Sequence, residues 1–272
     1  MQVIGQKSNI ELINSWKDMP PFTIIQGDRN TGKTTMVLYM CEHFDLRYVK
    51  MKNGVNDVRQ LIKYMTPNSN TVYHFKDFDK ASLQAKNALL KITEETIPGN
   101  HIVITGNTQI KTLESRARKL VMGAYSLVDM SSFMQKYFAD FQTQNRLYMA
   151  GINTPSKVVK YAKYEAILPL LDYAFEVFDK LTYLSEDDCV IATSKFDIKY
   201  DEIDACLLFI TMLIHIIEYN LKEKHIYDYY DILNTLIAAK ESMERDVTLN
   251  RKFILYRVLY TISSMKGNIW KS

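Results

Sequence analysis

Gly27-Asp-Arg-Asn-Thr-Gly32-Lys33-Thr34 is the stretch whose reading decides the fold: it satisfies G-x-x-x-x-G-K-[ST]. It follows an apolar, β-prone run at 22–26 and precedes a helical pattern at 34–43. Strand, glycine loop and helix is the order that phosphate binding requires. Glycines let successive backbone N–H groups converge on an anion, and the helix N-terminus adds partial positive charge. The candidate nucleotide-binding residues are therefore Gly27, Asn30, Thr31, Gly32, Lys33, Thr34 and Thr35. Lys33 is expected to reach the β- and γ-phosphates of ATP or ADP, and the Thr34 hydroxyl to ligate magnesium.

Outward from that loop, short apolar runs recur at 46–49, 71–75 and 101–105, separated by helical patterns at 55–65 and 82–93. Strands alternating with helices predict a parallel sheet with helices on both faces. From about Ser126 the strand signal ends. Short helices are expected at 134–141 and 155–163, with Thr154 capping and Pro155 opening the second. Longer ones are expected at 164–184, 201–222, 227–243 and 249–265, with a polar loop at 185–199. The fold class is α/β followed by all-α. The expected division is an α/β nucleotide-binding domain (1–124), a small helical domain (125–164) and a larger helical domain (165–272).

Composition agrees with a folded chain. Of 272 residues, 47% are hydrophobic and 24% charged, and the formal net charge of +3 is too small to announce a nucleic-acid binder by itself. Cys41, Cys189 and Cys206 form no C-x-x-C pair, so no zinc site and no disulfide framework is expected. The N-terminus shows no basic region followed by an apolar run, and the most apolar stretch (205–217) is interrupted by Thr211 and His215. A soluble protein of a reducing compartment, without a membrane partner, is the expectation. His215 in that run reads as a packed core histidine.

Further motifs follow the loop in order. Lys76-Asp-Phe-Asp-Lys80 precedes Asn87-Ala-Leu-Leu-Lys91-Ile-Thr-Glu94-Glu95, and 102–107 is an apolar strand ending in Asn107. Leu113-Glu-Ser115-Arg116-Ala117 comes next, while Val3-Ile-Gly5-Gln6 and Val55-Asn-Asp-Val-Arg59-Gln-Leu61 flank the loop. Together these resemble the AAA+ clamp-loader subunits, nearest the bacterial delta-prime type of DNA polymerase III, and the short chain would suit a compact phage-type version. The resemblance covers most of residues 1–120 and implies an AAA+ domain, a lid and a helical collar. It implies Asn107 as sensor 1 and Arg116 as an arginine finger acting in trans. It also implies a hetero-oligomeric ring of clamp-loader subunits, primer–template DNA and a sliding clamp as partners, and a bacterial cytoplasmic location.

The chain departs from that family where hydrolysis is performed. An acidic pair is needed at the end of the strand 71–75, one residue for the magnesium shell and one to polarise water. Alignment on Asp79-Lys80 puts Lys76 and Asp77 there; a shift of one puts Asp77 and Phe78 there. Neither register supplies the pair, so Asp77 is the remnant of a degenerate Walker B element. A lysine at that place repels magnesium or substitutes for it, or else points to solvent. Ala117 replaces the family's cysteine, the zinc module is absent, and the sensor-2 region offers only Lys157.

Alternatives remain beside several of these readings. Arg116 and Arg118 also read as surface cations at a helix end, and Glu94 and Glu95 as solvated carboxylates. Lys80, Lys86 and Lys91 read equally as DNA contacts or as a solvated face. Tyrosines 227, 229 and 230 suit an interface or cover the core. A stator with little hydrolysis of its own is the leading reading. An active motor subunit of the same assembly and an unrelated P-loop kinase are its competitors.

Overall fold

The computed structural model describes residues 3–265 except 96, 109–110, 182, 198–203, 225–228, 247 and 249. It divides into two compact units, Met1–Met130 and Ser131–Ser272.

In the first unit, α1 (Lys7–Asn14) leads to β1 (Phe22–Gly27), α2 (Lys33–His43), β2 (Arg47–Met51), α3 (Val55–Tyr64) and β3 (Thr71–Phe75). After a 3-10 turn at Phe78–Lys80 come α4 (Leu83–Glu94), β4 (Asn100–Gly106), α5 (Lys111–Glu114) and β5 (Arg118–Met122). The sheet order is β2-β3-β4-β1-β5, with every pairing parallel. Strand alternation divides the apolar side chains into two cores. Ile24, Tyr73, Phe75, Ile102 and Ile104 pack with Val58 and Leu61 of α3 and Leu89 and Ile92 of α4. Ile25, Val72, Val103 and Leu120 face the other way, onto Ile13 of α1 and Met36, Val37 and Met40 of α2. Both faces of the sheet are thus covered, as near-continuous apolar strands demand.

This unit matches the expected strands and helices to within a few residues and adds α1, α5 and β5. Arg118 opens β5, which pairs with β1 from Thr23↔Arg118 to Gly27↔Met122. That pairing corrects the helix-end reading of Arg118. The strand was hidden because its first two residues are charged; only Leu120 and Met122 are buried.

The second unit is helical. It contains the second half of α6 (Leu127–Met134), then α7 (Phe141–Met149), α8 (Pro155–Tyr161), α9 (Ile167–Lys180) and α10 (Glu186–Ser194). After a 3-10 turn at Lys195–Asp197 come α11 (Ala205–Lys224), α12 (Tyr230–Arg245) and α13 (Arg251–Ser264). Two expectations are corrected here. Residues 134–141 do not form one helix: α6 ends at Met134, and Asp140 caps α7 by accepting from the Thr143 N–H at 2.7 Å. The polar segment 185–199 is not a loop but contains α10, because Ser185 and Asp188 close a capping box. Helix α8 starts as expected, with Thr154 accepting from the Lys157 N–H and Pro155 in the first turn.

Helix α11 is the centre of this unit, packing on α9, α12 and α13. Its segment Ala205–Lys222 has a mean hydropathy of 1.4, so in length and composition it meets the measure of a span that the shorter run 205–217 does not. Phe209, Ile210, Met212, Leu213, Ile216 and Ile217 of that helix are all buried. His215 is half-buried, with Nδ1 3.1 Å from Glu218 Oε2. A Cβ on Gly151 would meet its ring at 2.0 Å, which fixes glycine at that close approach.

Candidate nucleotide site

The loop between β1 and α2 is built around two glycines. Gly32 has φ 86°, and a Cβ there would stand 2.6 Å from the Tyr125 hydroxyl. At Gly27 a Cβ would meet the Met122 carbonyl at 2.7 Å. Asn30 occupies the left-handed region at φ 66°, a conformation asparagine tolerates better than most residues. The Thr31 hydroxyl donates to the Asp28 carbonyl at 2.8 Å, closing the turn. Thr34 and Thr35 lie in the first turn of α2.

Lys33 is only 8% exposed. Its ammonium donates to the carbonyls of Gly27 (2.7 Å) and Asp28 (2.6 Å) and to Asn107 Oδ1 (2.9 Å). Burial draws its pKa below the ordinary lysine value, against the opposing pull of Asp77, Asp79 and Asp28; Lys76 adds to the depression. A buried ammonium held by neutral acceptors is under-compensated, so an anion beside it would be stabilised. The glycine cradle and this cation fit a nucleotide's phosphates.

Asn107, expected as sensor 1, lies just beyond the end of β4 in contact with Lys33. Its own N–H donates to Asp79 Oδ2 at 3.1 Å, and Thr108 donates to the same oxygen from its N–H (3.3 Å) and hydroxyl (3.2 Å). Burial pushes the Asp79 carboxyl up, but these donors outweigh it and hold the group below its usual value. Asp79 therefore clasps the end of β4 and positions Asn107. Sequence alone offered Asp79 only as an alignment anchor.

The end of β3 is different in kind. Lys76 is exposed and Asp77 partly buried, while Phe78 is fully buried with its ring 5.3 Å from that of Phe75. Phe78 is thus a core residue. Asp77 has φ 53°, left-handed, where the chain turns into the 3-10 segment. Its charge is the largest of those that favour the Lys33 ammonium. Among the described residues no group of three or more His, Cys, Asp or Glu side chains is placed to hold a metal ion. The residues that the sequence offered for magnesium, Thr34 and Asp77, would make a sparse set of the kind that relies on phosphate oxygens to complete the shell.

Arg116 is in the turn between α5 and β5, its side chain 41% exposed, with Nη2 2.9 Å from Glu94 Oε1 at the end of α4. Glu94, read from sequence as solvated, is the partner that holds this guanidinium. Of the three candidate DNA lysines, Lys86 donates to the Asp79 carbonyl at 2.6 Å, while Lys80 and Lys91 are exposed. At the N-terminus, Gln6 exchanges hydrogen bonds with the Gly123 carbonyl (2.7 Å) and N–H (3.2 Å). In the second unit, the Lys157 ammonium donates to the Gly151 carbonyl at 2.6 Å, and burial lowers its pKa. Tyr229 and Tyr230 flank the start of α12, and Tyr227 lies outside the described residues.

No protein-family profile and no curated protein sequence matches the chain. Among solved structures, it is similar to a DNA polymerase III gamma subunit-related protein from Thermotoga maritima. The identity is 17% and the TM-score 0.51, over 96% of this chain and 99% of that one. It is also similar to the RuvB Holliday junction branch migration motor of Thermotoga maritima, at 11% identity and TM-score 0.51, over 84% and 85% of the two chains. A point mutant of the same RuvB gives 10% identity and a TM-score of 0.53, over 95% and 87%. At such identities the likeness is one of fold: a RecA-like parallel sheet with the AAA+ arrangement, followed by an almost all-helical region.

Proposed function

We propose that this chain is a delta-prime-like stator of a DNA-replication clamp loader. It binds ATP or ADP, hydrolyses it slowly or not at all, and presents Arg116 to the nucleotide site of a neighbouring subunit. Residues 125–164 serve as the lid and 165–272 as the collar through which the chain joins a hetero-oligomeric ring. That ring loads a sliding clamp on primer–template DNA in a bacterial cytoplasm.

The observation that carries this reading is the pairing of a complete phosphate loop with an incomplete strand end. Lys33 and the glycine cradle would hold the phosphates, and Thr34 with Asp77 would face magnesium. Bound magnesium would neutralise phosphate charge. Lys76, however, brings a second cation to the place where the acidic pair belongs; though exposed, its charge already acts against that of Lys33. No carboxylate stands in the Phe78 position to polarise water, and loss of a general base costs about 10²–10⁴-fold in rate.

The exposed Arg116–Glu94 pair supports a role in trans. Such pairs contribute only about 0–1 kcal/mol, so the guanidinium is released at small cost when a neighbour's γ-phosphate is offered. The test is a complex captured through the tagged chain, wild type against Arg116→Ala. Assembly unchanged with ATP turnover lowered about 10³–10⁵-fold supports the finger; equal turnover contradicts it. The motor alternative draws on Asp77, whose charge acts on Lys33. Robust turnover by the chain alone would favour that alternative.

A further inference from the structure

We propose that the outer edge of β2, with the groove beside it, docks an extended acidic peptide segment of a partner protein. Strand β2 ends the sheet, and among the described residues no strand pairs with its outer edge. The Arg47 N–H donates inward, to the Asn70 carbonyl at 2.8 Å. Hydrogen-bonding directions alternate along a strand, so Arg47, Val49 and Met51 turn their backbone groups toward β3. Tyr48 and Lys50 present theirs outward. An extended peptide adds to such an edge through its main chain.

Beside this edge lies an open groove of about 430 Å³. Val49, Met51 and Tyr73 supply its apolar surface, α3 contributes Asp57 and Tyr64, and Arg47 and Lys52 line it with positive charge; Lys50 borders it at the strand edge, its side chain alternating to the face of His74. The Tyr73 hydroxyl donates to the Tyr64 carbonyl at 2.8 Å, tying the groove wall to β3. Tyr64 itself is 56% exposed. Arg47, Lys50 and Lys52 are all exposed, and among the described residues none is in an ion pair. Two cations in the groove and Lys50 across the edge, against the single carboxylate of Asp57, define the complementary ligand: a strand carrying Asp or Glu, with an apolar side chain at an alternate position for Val49 and Met51.

Charge also selects against the other obvious strand. A second copy of this chain would bring its own Arg47, Lys50 and Lys52 to the same edge, the arrangement by which edge strands avoid self-pairing. A single-stranded nucleic acid would satisfy the cations but not the outward amides. It would also find only Tyr64 exposed for stacking, because Tyr73 is buried.

The test is affinity selection of phage-displayed random dodecapeptides on the purified full chain. One selected peptide is then synthesised and titrated by fluorescence anisotropy. Selected sequences rich in Asp and Glu with alternating apolar residues are expected. Binding should weaken about tenfold in Lys50→Glu/Lys52→Glu, and comparably when one central peptide amide is N-methylated. Equal melting temperatures for wild type and variant show that the fold is retained, and Lys52→Gln alone gives a smaller loss. Selection without acidic bias, binding indifferent to both changes, or an oligonucleotide held in place of peptides would overturn the proposal.

Discussion

The glycine loop after β1 and the end of β3 border the same sheet, yet only the first keeps the residues that its proposed chemistry calls for. At the loop, close backbone approach at Gly27 and Gly32 leaves little freedom, and Lys33 is buried with its ammonium held by the Gly27 and Asp28 carbonyls and by Asn107. At the end of β3, Lys76 is exposed and Phe78 has been absorbed by the core. The contrast teaches that binding and hydrolysis rest on different residues and can be lost separately. In the proposed reading, backbone geometry would hold the phosphates, whereas a single pair of side chains would be needed to activate water.

The sharpest way to break this contrast is to repair the weaker region. Lys76→Asp with Asp77→Glu restores the acidic pair, and its ATP turnover is expected to rise about 10²–10⁴-fold over wild type in steady-state assays. No rise would leave the base missing at Phe78, as the other register has it, or place the defect away from β3 altogether.

The strand leading to Lys76 has its own sensitivity. His74 is fully buried and bridges three strands, with Nδ1 3.0 Å from the Tyr48 hydroxyl and Nε2 3.0 Å from Thr105 Oγ1. Burial lowers its pKa to about 4; Lys76 and Lys50 add to this, and Asp77 opposes it. The unfolded histidine takes up a proton near its ordinary 6.5, which the folded one refuses. The stability contribution is therefore complete above pH 6.5 and lost as the pH falls toward 4, by on the order of 3 kcal/mol. Urea melts at pH 7.5 and 4.5 should show the loss, and His74→Gln should show a smaller one.

Smaller effects follow at the loop. Lys33→Ala is expected to weaken ATP binding about 10–100-fold, as loss of a charged hydrogen-bond donor does, with little change in melting temperature. Gly32→Ala should cost about 1–2 kcal/mol from the left-handed backbone alone, since a Cβ also meets Tyr125; thermal unfolding reads it. Smallest of all, Glu94→Gln should change stability by no more than about 1 kcal/mol while freeing Arg116.

How much of this was readable from sequence depended on how local the signal was. The loop and strands β1, β3 and β4 were legible because a fixed glycine spacing and short apolar runs coincide. Strand β5 was not, because Arg118 and Lys119 open it and its pairing with β1 is non-local. Helix α10 was hidden by its polarity, although Ser185 and Asp188 carried a capping signal that could have found it. At the site, Lys33, Asn107 and Arg116 were named from pattern. The Asp79 clasp, the Glu94 partner and Tyr125 over Gly32 were not, since each joins residues far apart in the chain.

The central claim, that this chain binds nucleotide without efficiently hydrolysing it, is tested most directly by measuring both on one preparation. Equilibrium ATP binding and steady-state hydrolysis would be compared for wild type and Lys33→Ala. The account predicts binding that Lys33→Ala weakens and turnover near background in both proteins. Robust wild-type turnover abolished by Lys33→Ala would contradict it and make the chain a motor.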